Sequence, residues 1–126
     1  MDQADRDFFA TNGFLNMGQV LDGEDLKYFR EMFDGDREQY PYFWHHYGHH
    51  QQANYEALIT SPQVDELIRH PKIYPTIEEL MGGPLCFGGI GLRLLQAYEG
   101  ELHQGWHRDK PHLDEHPFRM DYIQLM

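Results

Sequence analysis

Cysteine is nearly missing from this chain. Cys86 is the only one among 126 residues, so no internal disulfide can form and no Cys-rich zinc motif is present. One unpaired thiol fits a reducing compartment. No apolar run approaches the roughly 18 residues that a membrane-spanning helix needs. The opening MDQADRDFFATNG has neither a basic stretch nor an apolar one, so no signal peptide is expected. Basic residues are also few: 10 Lys and Arg stand against 21 Asp and Glu, a formal charge of −11. Such a surface repels phosphates and anionic membranes, which argues against nucleic acid or membrane as a partner. The expectation is a soluble, cytoplasmic protein.

What is present points to a globular fold. Hydrophobic residues make up 40% of the chain and aromatics 14%, at a mean hydropathy of −0.70. The length sets the expectation of a single domain, 1–126. Residues 1–38 hold ten acids and four bases, most simply a solvated face. Histidine is the unusual count: nine in all, four of them between 45 and 50 and four more between 103 and 116.

Local patterns divide the chain. Asp5 to Thr11 reads as a short helix stopped by Asn12-Gly13, and Phe14 to Val20 as a short strand. Asp22 caps a second helix carrying Glu24 and Asp25 in its first turn, with Asp34-Gly35-Asp36 as its breaker. Residues 38–50 form a structured loop. Gln51 to Ile59 looks helical, Ser61-Pro62 starts another helix, and Pro75 starts one that Gly82-Gly83 stops. Residues 1–83 are thus expected to be mainly helical. Leu85 to Tyr98 reads as one or two strands, Gly105 to Asp109 as an extended segment, and Phe118 to Met126 as an alternating strand. Because the last strand runs into Met126, the expectation is the N-terminal part of a longer protein. A natural edge strand is the alternative.

The segment Trp106-His107-Arg108-Asp109 carries the chemistry. On an extended backbone, side chains two positions apart point to one face. His107 and Asp109 can therefore present a nitrogen and an oxygen to the same point. Those are two of the three donors in the 2-His-1-carboxylate arrangement that holds non-heme iron.

Several stretches then resemble the phytanoyl-CoA dioxygenase family of Fe(II)/2-oxoglutarate oxygenases. FFATNGFLNMGQVLDGEDLKYFREMF is similar to its N-terminal helix, strand and helix. HPKIYPTIEELMGG is similar to the helix before its first core strand. LRLLQAYEGELHQGWHRD resembles its strand, turn and WH(Q/R)D signature, and PFRMDYIQLM the strand after it. The resemblance implies an α+β fold, with N-terminal helices packed on a partial double-stranded β-helix of the jelly-roll or cupin-like kind. It implies His107 and Asp109 as metal ligands and Fe(II) as the metal. It implies 2-oxoglutarate as co-substrate with Gln96 as a contact, and a small-molecule substrate hydroxylated with O2. The family's second metal histidine and its 2-oxoglutarate arginine have no counterpart here, so this chain alone is expected to be inactive.

Other candidates have plainer readings. His45/His49 and His46/His50 have i,i+4 spacing that suits a metal only on a helix, and Pro41 and Gly48 argue against one. His112/His116 and His103/His107 share that spacing in a loop and across a strand. Trp106 is expected in the core, Arg93 in a surface ion pair, and Cys86 as a small buried hydrophobe. Two competing functions stay open: a non-catalytic cupin-like or histidine-rich metal-binding module, and an inactive remnant.

Overall fold

A computed structural model describes residues 1–47, 50–100 and 122–126. Helix α1 (Gln3–Asn12) opens on a capping box. The Asp2 carboxylate accepts from the Asp5 N–H, the Asp5 carboxylate accepts in return from the Asp2 N–H, and Gly13 closes the helix at φ 76°. The expected strand at Phe14 to Val20 does not form. Asn16 Oδ1 accepts the Gly18 N–H at 2.9 Å and Gly18 takes φ 66°, a side-chain turn that breaks the extended run.

Helix α2 (Gly23–Gln39) starts where expected. Asp22 accepts from the N–H groups of Glu24 and Asp25, which satisfies two of the four donors that a helix start leaves open. These bonds hold the Asp22 carboxyl below its usual range. The helix does not break at Asp34-Gly35-Asp36 but runs on to Gln39. A 3-10 turn, Pro41–Phe43, leads into strand β1 (His45–Tyr47), and β2 (Gln51–Asn54) follows. The helix expected over 51–59 is therefore a strand, a turn and a short helix, α3 (Ala57–Thr60). Asn54 Oδ1 accepts the Glu56 N–H at 2.8 Å and turns the chain out of the sheet into α3.

Short α4 (Val64–Ile68) and α5 (Tyr74–Met81) complete the helical part, and Gly82 ends α5 at φ 75° as expected. Strand β3 (Leu92–Leu95) is shorter than the sequence pattern suggests. Upstream of it Pro84 lacks a ladder donor, and Gly88 and Gly89 leave nothing to pack on a neighbour. Residues 122–126 show no strand, a correction for that part of the expected C-terminal strand; residues 118–121 lie outside the described residues.

The fold is α+β. The sheet is antiparallel in the order β1-β2-β3. His45 pairs with Ala53 and Ala53 with Arg93; Tyr47 pairs with Gln51 and Gln51 with Leu95. These residues share one face, since paired positions point the same way. The other face carries His46, Gln52, Asn54, Leu92 and Leu94. Leu92 joins Trp44, Ala57 and Val64 in the buried core, with Met32, Phe33, Ile90 and Leu94 packed against it. Phe33 meets Trp44 edge to face at 5.2 Å, a favoured geometry for two aromatic quadrupoles. Helix α2 thus covers the Leu92/Leu94 face, and among the described residues no helix packs on the Tyr47/Arg93/Leu95 face.

Long-range polar contacts tie the helices together. Arg6 on α1 pairs with Glu79 on α5 and holds the Glu79 carboxyl below its usual range. Tyr28 on α2 donates to Glu66 on α4 at 3.1 Å. Lys72 Nζ donates to the Val20 carbonyl at 3.1 Å. Among the described residues no helix is long and apolar enough to cross a membrane.

Candidate functional site

His107 and Asp109, with Trp106, His103, His112 and His116, lie outside the described residues. The strand that leads toward them is described. Gln96 directly follows β3; its backbone N–H donates to the His50 carbonyl at 2.8 Å, extending the β2–β3 ladder by one bond. Its side chain is exposed. In the alternation of the strand, Gln96 falls in step with Leu92 and Leu94.

Of the histidine run, His45–Tyr47 is strand and His50 is in a turn. His45 and His46 sit on β1 and point to opposite faces, so the helical spacing that would let i,i+4 pairs converge is lost; His49 lies outside the described residues. His50 is buried, and its ring stacks on Tyr98 at 4.7 Å and 12°. Among the described residues no three His, Cys, Asp or Glu side chains come together as a metal site. Cys86 is exposed, a correction of the expected buried thiol. It lies in the Pro84-to-Gly91 segment, which forms no ladder among the described residues.

The ion pair expected of Arg93 is not found among the described residues. Arg93 Nη2 donates to the Tyr55 hydroxyl at 3.0 Å. The Tyr55 ring meets Tyr47 edge to face, at 5.8 Å and 88°. Tyr55 is seated by a glycine: a Cβ on Gly91 would come within 2.9 Å of Tyr55 Cδ1. Partial desolvation and the neighbouring Tyr55 hydroxyl raise the Tyr47 phenol above its usual range, with Arg93 opposing.

The polar centre of the fold is Asp36 on α2, which sequence reasoning took for part of a breaker. It is 2% exposed. Its Oδ1 accepts from Trp44 Nε1 and from Asn54 Nδ2, each at 2.8 Å, and its Oδ2 accepts from Ser61 Oγ at 2.7 Å. Asn54 Nδ2 also donates to Thr60 Oγ1 at 2.9 Å. Desolvation works to raise this carboxyl, but the hydrogen bonds of Thr60, Ser61, Asn54 and Trp44 outweigh it and leave it below its usual range. A depressed carboxyl with its lone pairs occupied by neutral donors is a poor proton acceptor. Its chemistry is structural: it joins α2, the entry to β1, the end of β2 and the end of α3. A shallow cleft of about 210 Å³ beside it is lined by Glu31, Gly35, Tyr40 and Gln63.

Compared with protein-family models, with curated proteins and with solved structures, the chain matches none.

Proposed function

We propose that the chain is part of an Fe(II)/2-oxoglutarate-dependent dioxygenase of the phytanoyl-CoA dioxygenase type. What carries this reading is the WHRD sequence, whose His107 and Asp109 stand two positions apart, the spacing that on an extended backbone would turn both toward one metal ion. The arrangement of the sheet supports it. Helices cover one face, as the family's lead-in helices do, and among the described residues no helix packs on the face that would turn toward a barrel interior. The double-stranded β-helix is the finer part of the proposal. In it, the three strands would be the start of a larger sheet.

The donor chemistry suits the metal. An imidazole and a carboxylate are two of the three ligands that hold ferrous iron and leave positions open. The third ligand and the arginine for the far carboxylate of 2-oxoglutarate are assigned to no residue of this chain. When bound, the iron would couple oxidation of 2-oxoglutarate by O2, giving succinate and CO2, to hydroxylation of a C–H bond. The chain's own part is to orient the two ligands and to keep one side of the sheet dry with the Trp44–Leu92 core. Gln96, in step with Leu92 and Leu94 on the face that the helices cover, is given no part in binding on the opposite face.

Anaerobic titration of the full-length protein with Fe(II) in the presence of 2-oxoglutarate tests the assignment. A weak visible charge-transfer band is expected, and it should vanish in His107→Ala and Asp109→Ala. A band that persists unchanged in His107→Ala overturns the ligand assignment.

A further inference from the structure

The open face of the sheet carries a cationic group in a chain that is otherwise strongly acidic. Arg6, Arg37 and Arg69 each pair with a carboxylate. Arg30 and Arg93 do not, among the described residues, although acids outnumber bases by 21 to 10; of the two, Arg93 stands on the sheet. Its described side-chain partner is the Tyr55 phenol, at 3.0 Å. A guanidinium has five N–H donors, so this bond steadies the group without using its capacity.

The surroundings fix that geometry. Tyr55 is held from two sides, by the edge of Tyr47 at 5.8 Å and by the glycine floor at Gly91. Gly91 immediately precedes β3, where a glycine weakens a strand and marks close approach of another group. Here the approaching group is the Tyr55 ring. Tyr47, Tyr55 and Leu95 remain 45%, 48% and 64% exposed on this face. A rim of apolar carbon beside a guanidinium lowers the local dielectric and strengthens a charge-assisted bond to an incoming anion. His45 lies across the ladder from Arg93 with Ala53 between them, a separation of about 10 Å from two strand spacings.

We propose that Arg93, positioned by Tyr55 and Tyr47, binds the carboxylate of a small organic acid on the open face of the sheet. A planar, forked guanidinium matches a planar carboxylate in two parallel bonds, and the phenol that steadies it can turn its own proton toward the ligand. The proposal rests on the dioxygenase reading only for its meaning. In that reading the acid is a co-substrate or substrate on the barrel side of the sheet; the binding itself needs no metal.

The test is calorimetric titration of the metal-free full-length protein at constant ionic strength with three probes. Propionate stands for an acidic substrate, 2-oxoglutarate for the co-substrate, and inorganic phosphate for anions in general. Saturable binding of propionate or 2-oxoglutarate is expected, with phosphate at least tenfold weaker. Arg93→Gln should weaken carboxylate binding at least tenfold, and Arg93→Lys should restore little of it. Tyr55→Phe, which keeps the ring and its seat, should weaken it severalfold. Both arginine substitutions are at an exposed position, so folding is retained. Absence of saturable carboxylate binding, equal binding of phosphate, or an unchanged affinity in Arg93→Gln overturns the proposal. His107→Ala separates it from the dioxygenase reading: that variant should lose the iron band and keep carboxylate binding to the metal-free protein.

Discussion

The indole N–H of Trp44 donates to Oδ1 of Asp36 at 2.8 Å, with both residues buried. The same oxygen accepts from Asn54 and the other oxygen from Ser61. One carboxylate therefore fixes how α2 meets the sheet, because Trp44 precedes β1 and Asn54 ends β2. Trp44 is also in the hydrophobic core with Leu92. Polar and apolar packing thus converge on the same indole, and loss of either should loosen the other.

Removing the carboxylate is the direct test. Asp36→Ala leaves the Trp44, Asn54 and Ser61 donors without their acceptor, and each buried unsatisfied donor costs about 1–3 kcal/mol. A loss of at least about 3 kcal/mol is expected, read as a lower urea midpoint at unchanged slope. Asp36→Asn keeps the shape but places an NH2 against one of the donors. It should lose less than the alanine variant and still be clearly destabilised.

The pH dependence follows from the same group. The folded state holds Asp36 below its ordinary value, so near and below that value the unfolded chain binds more protons than the folded one. Stability from this group is then fully present above the unfolded pKa of about 3.9 and is lost as pH falls through the folded one. Glu79 and Asp22 are lowered too and act in the same direction. Urea midpoints of the wild type should drop as pH is taken from 5 toward 3. Asp36→Asn should show a shallower drop, and equal slopes would mean that the carboxylate is not held ionised by its donors.

Gly91 should tolerate no side chain without moving Tyr55. A Cβ there would stand 2.9 Å from Tyr55 Cδ1, closer than real Cβ contacts come, and a tight 3.1 Å from Cε1. Gly91→Ala should displace the ring and cost roughly 1 kcal/mol of overpacking. It should also break the Arg93–Tyr55 bond. Altered Tyr47 and Tyr55 ring resonances in NMR would report the movement, and unchanged resonances would show that the ring is not seated on the glycine.

The helix caps were legible because they are local. Asp22, Gly13 and Gly82 act on their own neighbours, and the structure places each at the helix end that its chemistry predicts. The sheet was legible only in part: Leu92–Leu95 falls in the stretch read as strand, but His45–Tyr47 and Gln51–Asn54 were read as loop and helix. Gln51–Asn54 has helical composition, and what makes it a strand is a ladder with Leu92–Leu95, some forty positions away. A ladder partner at that distance leaves no periodic mark on so short a segment. Asp36 was misread for a related reason. Asp-Gly-Asp is a turn signal in isolation, but here Trp44, Asn54 and Ser61 reward the carboxylate for staying on the helix. Arg93 was expected to find an acid; among the described residues its side-chain partner is the Tyr55 hydroxyl, just past the end of β2. His107 and Asp109, proposed as iron ligands from the sequence, lie outside the described residues.

Gly35 gives the last prediction. It sits inside α2, where glycine costs about 1 kcal/mol relative to alanine because the unfolded chain has more freedom to lose. A Cβ at this position would meet nothing nearer than Gln39 Nε2 at 3.9 Å, so packing does not require its absence. Its neighbour Asp36 already holds the turn against the sheet through its hydrogen bonds. Gly35→Ala should therefore stabilise the fold by about 0.5–1 kcal/mol, seen as a higher urea midpoint. A lower midpoint would mean that the helix is not continuous through Asp34-Gly35-Asp36, and that the Asp36 carboxylate reaches Trp44 from a different backbone.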